Sequence, residues 1–172
     1  MIPKRILVAG VGNVFLKDDA FGIEVVKALA AHETRPGVEI RDFGLGGLKL
    51  AYDLLKGYDA LIMIDASRRG EAPGTLYLIE PDFEKIPAEI TEGGPIDPHG
   101  ADPLTVLRFV KAVGAWPAQV RIVACEPSAS DEFEMGLSEA VRASVSRAVQ
   151  LVEETIDAIL NEKPELAHEH TH

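Results

Sequence analysis

The sequence predicts an α/β protein with a three-layer, twisted, mostly parallel five-stranded sheet, helices on both faces and one antiparallel strand. Short apolar runs typical of buried strands alternate with segments in which apolar residues recur at helical spacing. One connection between strands is too short for a parallel crossover, which predicts the antiparallel strand. Residues 1–162 are expected to form one domain, and the tail 163–172, which has no core-forming pattern, is expected to be flexible.

Five segments have the composition of strands: 5–9, 38–43, 60–64, 75–79 and 120–125. The runs ILVA and ALIMI are continuously apolar, as is typical of parallel strands covered on both faces. The turn SRRGEAPG separates the third strand from the fourth, so the fourth strand is expected near an edge.

Apolar spacing predicts four helices, at 19–31, 48–55, 103–113 and 137–160. Asp18 and Asp19 suit the start of the first helix, because carboxylates there accept bonds from free amides and face the positive end of the helix dipole. Ser138 is the expected N-cap of the last helix.

The composition excludes several classes of function. No apolar run approaches the roughly 20 residues that span a bilayer, and a net charge of −11 argues against a nucleic-acid binder. The single cysteine, Cys125, excludes an intramolecular disulfide and fits a reducing compartment. We therefore expect a cytoplasmic monomer with no membrane or nucleic-acid partner.

A glycine-rich loop, GVGNVFLKDDAFG at 10–22, follows the first predicted strand and resembles a phosphate cradle. A dinucleotide fingerprint needs a third glycine where this chain has Phe15, and a Walker loop needs Gly-Lys-Ser/Thr where it has Leu16-Lys17-Asp18. Asp18 and Asp19 would also repel an anion. We expect no nucleotide here; the loop instead carries Asp19 to the edge of the sheet, with Asp18 as a helix cap.

Three candidate metal ligands lie on connections that should open at the carboxyl edge of the sheet. Asp19 follows the first strand, Asp65 ends the third, and His99 precedes the third helix. Two carboxylates and one imidazole suit a borderline divalent metal such as nickel, zinc or iron. Each residue also has a structural alternative, because Asp19 could cap a helix, Asp65 could cap the following turn, and His99 could be a bystander.

Other candidate groups are weaker. Cys125 ends an apolar strand, where packing is the commoner role of a free cysteine, and the sequence has no GxSxG nucleophile elbow. Glu126 could occupy a turn and pair with Arg121 or another base. The three alternating histidines of the tail at 168–172 could chelate a metal, although disorder is the expectation there.

These motifs together resemble the [NiFe]-hydrogenase maturation endopeptidases. The residues concerned are the loop at 10–22, IDA at 64–66, His99 before a helix, CEP at 125–127 and LSEAV at 137–141, in order over nearly the whole chain. The resemblance implies a twisted sheet between helices. It also implies an enzyme that removes the C-terminal extension of a hydrogenase large-subunit precursor after nickel insertion.

The resemblance further implies that Asp19, Asp65 and His99 contact the metal, although the first acid is often glutamate in relatives. Nickel is then presented by the substrate and is not a tightly held cofactor. We hypothesise that Asp19 or Asp65 orients or deprotonates a water while the metal polarises the carbonyl. Three alternatives stay open: a non-hydrolytic nickel-sensing or chaperone-like module, a protease of similar fold with another substrate, and a nucleotide-binding protein using Gly10 and Gly12.

Overall fold

A computed structural model describes residues 3–87, 103–129 and 135–162. They form a five-stranded sheet of β1 (Ile6–Val11), β2 (Val38–Gly44), β3 (Ala60–Ala66), β4 (Leu76–Ile79) and β5 (Gln119–Cys125). The strand order is β2-β1-β3-β5-β4, and only the β4–β5 pairing is antiparallel. The predicted fold class is confirmed, including the antiparallel strand at one edge.

Four α-helices cover the two faces of this sheet. They are α1 (Phe21–Leu29), α2 (Gly47–Leu54), α3 (Pro103–Ala112) and α4 (Glu139–Asn161). Helices α1 and α4 pack on one face, and α2 and α3 pack on the other, so the core divides into two apolar layers. Alternate residues of the central strands enter opposite layers, with Ile62 and Ile64 in the first and Leu61 and Met63 in the second.

The first predicted helix begins later than expected. Residues Lys17–Ala20 form a short 3-10 helix, and α1 starts at Phe21 with Ala20 in the N-cap position and no side-chain cap. The prediction that Asp18 or Asp19 caps this helix is therefore wrong. Asp18 instead accepts bonds from Ser128 and Ser138, and Asp19 accepts one from Asn13 of its own loop.

The carboxyl ends of β1, β2, β3 and β5 lie at one edge of the sheet, here called the active edge. Because β4 runs antiparallel, its first residue, Leu76, lies opposite Cys125 at this same edge. A second 3-10 helix, Phe83–Lys85, follows β4. Within the parts of the chain that the structure describes, no helix has the length and hydropathy needed to cross a bilayer.

Candidate active site

The loop between β1 and α1 folds back on itself and holds Asp19. The Asn13 N–H donates to Asp19 Oδ2 at 2.7 Å, and Asn13 Oδ1 accepts from the Phe15 N–H at 2.9 Å. Gly12 has a φ of 144°, and a Cβ there would collide with the carbonyl oxygen of Asp19. Asn13 therefore locks the loop, and the close approach of Gly12 to Asp19 requires glycine.

Helix α1 sits directly on the ends of β1 and β3. A Cβ at Gly22 would overlap the carbonyl oxygen of Ile64 and lie 2.7 Å from that of Val11, so this approach requires glycine. Asp19 lies three residues before Gly22, and Asp65 directly follows Ile64. The seating of α1 therefore brings both acids to the active edge, from two adjacent strands.

Asp65 lies at the end of the central strand of the sheet. Its side chain is almost completely buried, at 1% exposure, and Oδ1 accepts from the N–H of Ala66 at 2.7 Å. Strands β1 and β5 flank β3 on either side, so this carboxylate lies at the middle of the active edge. The alternative interpretation of Asp65 as a cap for residues 67–68 stays a prediction.

An arginine that the sequence interpretation overlooked adds a positive charge to this edge. Arg68, three residues after Asp65, exerts an attractive charge on Asp19 and donates from Nη1 to the carbonyl oxygen of Ser128 at 3.2 Å. Its position in the sequence indicated this placement, because Arg68 lies in the connection that follows β3, the strand that Asp65 ends. Interpreting SRRGEAPG only as a turn concealed this signal.

Asp19 is held in a state that resists ionisation. Burial raises the pKa of its carboxyl above the ordinary value, and neither the hydrogen bond from Asn13 nor the charge of Arg68 cancels that effect. A carboxylate with a raised pKa is a stronger base than an exposed one, which suits a group that takes a proton from water.

The neighbouring Asp18 has a different role. It is buried, at 3% exposure, and accepts three bonds: from the Ser128 N–H at 2.8 Å, and from the Ser138 N–H and Oγ–H at 2.7 and 2.8 Å. Burial opposes its ionisation, but these bonds outweigh burial and hold the pKa of Asp18 below its ordinary value. Asp18 is thus structural as expected, but it joins the β1–α1 loop to the start of α4 and does not cap α1.

Glu126 fixes the connection between β3 and β4. Its buried carboxylate accepts from the N–H groups of Arg69 and Gly70 at 2.8 and 3.0 Å, and from the Tyr77 hydroxyl at 2.9 Å. Burial opposes ionisation here too, yet these bonds keep the pKa of Glu126 below its ordinary value. Of the bases suggested for Glu126, Arg121 instead contacts Glu80 at 3.4 Å, and Arg68 supplies an attractive charge on Glu126.

Cys125 is an unsuitable nucleophile. Its side chain is fully buried, and burial raises the pKa of the thiol to about 11. A thiol in that state holds almost no thiolate at neutral pH. The expectation that Cys125 packs in the core agrees with this environment.

The third predicted ligand, His99, lies outside the described residues, as do the tail histidines. Among residues 3–87, 103–129 and 135–162, no group of three His, Cys, Asp or Glu side chains is arranged to hold a metal ion. Of the three predicted ligands, the described part of the edge therefore supplies Asp19 and Asp65, and Arg68 adds a positive charge near Asp19.

Comparison with known proteins identifies the family. The family model for hydrogenase maturation proteases matches residues 23–155. A hydrogenase 2 maturation protease from Escherichia coli K12 is 38% identical over 153 residues, covering 86% of this chain and 88% of the relative.

Solved structures agree with that match. The hydrogenase maturating endopeptidase HybD from Escherichia coli has a TM-score of 0.71 at 30% identity, covering 90% of this chain and 93% of its own. A hydrogenase 2 maturation peptidase from a Thaumarchaeota archaeon has a TM-score of 0.68 at 34% identity, covering 90% of this chain and 99% of its own. This chain belongs to the hydrogenase maturation protease family and is a peptidase.

Proposed function

We propose that this peptidase removes the C-terminal extension of a [NiFe]-hydrogenase large-subunit precursor after nickel insertion. In this proposal Asp19, Asp65 and His99 recognise the nickel that the precursor presents. The observation that carries it is the meeting of Asp19 and Asp65 at one sheet edge, in a chain of the hydrogenase maturation protease family.

The chemistry of the donors supports a nickel-bearing substrate. Each of the two carboxylates is oriented by one backbone N–H at 2.7 Å, from Asn13 to Asp19 and from Ala66 to Asp65. Carboxylate oxygens together with the imidazole of His99 form a mixed donor set that suits a borderline divalent ion.

For hydrolysis we propose that Asp19 takes a proton from the attacking water. Its raised pKa favours proton acceptance, and the loop held by Asn13 keeps its carboxylate in one orientation. Asp65, rigid at the end of the central strand, would orient the water or share the metal. The guanidinium of Arg68 is near enough to influence Asp19 and could stabilise negative charge that develops on the scissile carbonyl.

Further parts of the proposal concern the protein's surroundings. We propose a cytoplasmic monomer whose partner is the precursor, with no nucleic acid, membrane or nucleotide bound. Nickel enters as part of the substrate and not as a resident cofactor. The net charge of −11 supports the exclusion of nucleic acid.

The test incubates the purified protein with nickel-loaded and nickel-free large-subunit precursor and measures product masses. Wild-type protein should shorten only the nickel-loaded precursor, whereas Asp19→Ala and His99→Ala should leave it intact. Asp42→Ala is the matched control, because Asp42 is an exposed acid in the last part of β2 at the same edge. Full trimming by both site variants would refute the site, and precursor binding without any mass loss would favour the non-hydrolytic module.

A further inference from the structure

The outer edge of β4 offers backbone hydrogen bonds to a partner. The Glu126 N–H donates to the Thr75 carbonyl oxygen at 2.8 Å, so Thr75 faces β5. Backbone groups alternate in direction along an antiparallel strand, so Tyr77 and Ile79 also face β5, while the N–H and C=O groups of Leu76 and Leu78 point outward. In the described sheet β4 is the outermost strand on this side.

The two outermost strands of the sheet, β2 and β4, differ in how well they are protected against pairing with a further strand. Charged side chains discourage pairing at an edge, and β2 carries three of them: Glu39, Arg41 and Asp42. Strand β4 reads LYLI and carries none, and its Leu78 side chain is 51% exposed. An apolar, uncharged edge is a template for an added strand.

A groove beside this edge can receive side chains. Leu76 and Leu78 lie on the same face of β4 and form one wall of an open groove of about 540 Å³ against α4. The described residues that line the α4 side are Ala143, Ser144, Arg147 and Leu151. Arg147 is the one charged member of the described lining. Its contact with Glu154 is 3.7 Å long and exposed on both sides, so it competes weakly for the guanidinium.

We infer that the β4 edge and this groove bind the C-terminal extension of the precursor as an added strand. The inference rests on the proposed function. Backbone groups of Leu76 and Leu78 would pair with the extended peptide, an apolar side chain would enter the groove, and a carboxylate of the peptide would meet Arg147. A carboxylate is present in any such extension, at its C-terminus.

A second copy of this chain fits the edge less well. Its own β4 carries no carboxylate to meet Arg147, and two chains of net charge −11 repel each other. An extended peptide with a terminal carboxylate satisfies both the backbone groups and the charge.

The geometry lets one peptide reach both the acids and the edge. An added strand would lie three inter-strand spacings from β3, beyond β5 and β4. At about 4.8 Å each, these spacings amount to roughly 14 Å. At about 3.3 Å per extended residue, four or five residues span that distance from Asp65. Because Leu76 lies at the active edge, the extension would enter beside Leu76 and run parallel to β4 toward Ile79.

The test compares Leu78→Lys with Leu55→Lys, a leucine of similar exposure (53%) at the C-terminus of α2. With nickel-loaded precursor, L78K should raise the KM for trimming about tenfold with kcat unchanged, as expected for the loss of one well-placed apolar contact. L55K should leave both constants unchanged, and equal urea midpoints would show that both variants fold. In a second measurement, a synthetic peptide of the extension should slow hydrogen exchange at the amides of Leu76 and Leu78.

Each result has a distinct meaning. Trimming by the wild-type protein with an unchanged KM in L78K, or with equal changes in both variants, overturns the docking inference and leaves the proposed function intact. If the wild-type protein trims no precursor, the proposed function fails, and hydrogen exchange alone decides the docking. Slower hydrogen exchange at the amides of Leu76 and Leu78 in the presence of the peptide then supports the docking inference. Slower exchange that appears only as the protein concentration rises shows that a second copy of this chain binds at β4, and this result overturns the docking inference.

Discussion

Asp18 and Asp19 are adjacent and chemically identical, yet substitution by asparagine should have opposite effects at the two positions. Asp18→Asn should lower the free energy of unfolding because the Asp18 carboxylate accepts three bonds that tie two loops to the start of α4. Asp19→Asn should preserve stability and abolish trimming, because burial disfavours its charge and the proposed chemistry needs that charge.

The magnitude for Asp18→Asn follows from its contacts. An asparagine oxygen placed at Oδ2 could keep the bonds from the Ser128 N–H and Ser138 Oγ–H, but its NH2 group would face the Ser138 N–H. Losing one bond to a charged acceptor costs about 1.5–3 kcal/mol, and the remaining two weaken when the charge is removed. We expect a loss of about 3 kcal/mol. At a urea m-value of about 2 kcal/mol/M, the midpoint falls by roughly 1.5 M.

The pH dependence of stability separates the two acids further. The pKa of Asp18 is lowered on folding, so its contribution is present above its ordinary pKa of 3.8 and is lost as pH falls through the lower folded-state value. The pKa of Asp19 is raised, so folding favours its protonated form and its ionisation removes stability as pH rises through the folded-state value. Asp18→Asn should therefore reduce the loss of unfolding free energy that occurs as pH falls. Asp19→Asn should leave the unfolding free energy at pH 7 unchanged or raise it.

Urea unfolding followed by the fluorescence of Trp116, the single tryptophan, measures both variants at pH 3–7. Trimming of nickel-loaded precursor measures their activity below the unfolding transition. An Asp18→Asn midpoint equal to that of the wild type would refute the assignment of Asp18 as a structural tie. A destabilised Asp19→Asn that still trims would refute the division of roles between the two acids.

Two further predictions follow from packing. Gly22→Ala should cost roughly 3 kcal/mol or more and move α1 off the sheet, because its Cβ would overlap the Ile64 carbonyl oxygen. The control, Gly57→Ala, has open space but a φ of 95° and should cost about 1 kcal/mol; equal thermal shifts would contradict this. Cys125 should resist iodoacetamide at pH 8 in the folded protein and react readily in urea, as followed by mass, because the thiol is buried with a pKa of about 11. Rapid native labelling would contradict its burial.

Much of the fold follows from local patterns. The apolar runs of β1 and β3 and the apolar spacing of the helices depend on residues near in sequence, so the layers and the antiparallel strand were predictable. The short connection before β4 predicted its direction for the same local reason. Boundaries were less predictable, because the 3-10 turn at Lys17–Ala20 depends on Asp18 bonding to residues more than 100 positions away.

The sequence alone was sufficient to place Asp19 and Asp65 at one edge, because parallel strands open together at their carboxyl ends. It could not assign different roles to two neighbouring aspartates. Bonds from Ser128 and Ser138 lower the pKa of Asp18. Burial raises the pKa of Asp19 despite the bond from Asn13 and the charge of Arg68. Burial and hydrogen-bond donors decide a carboxyl's pKa, and those donors come from distant parts of the chain that only tertiary packing brings together.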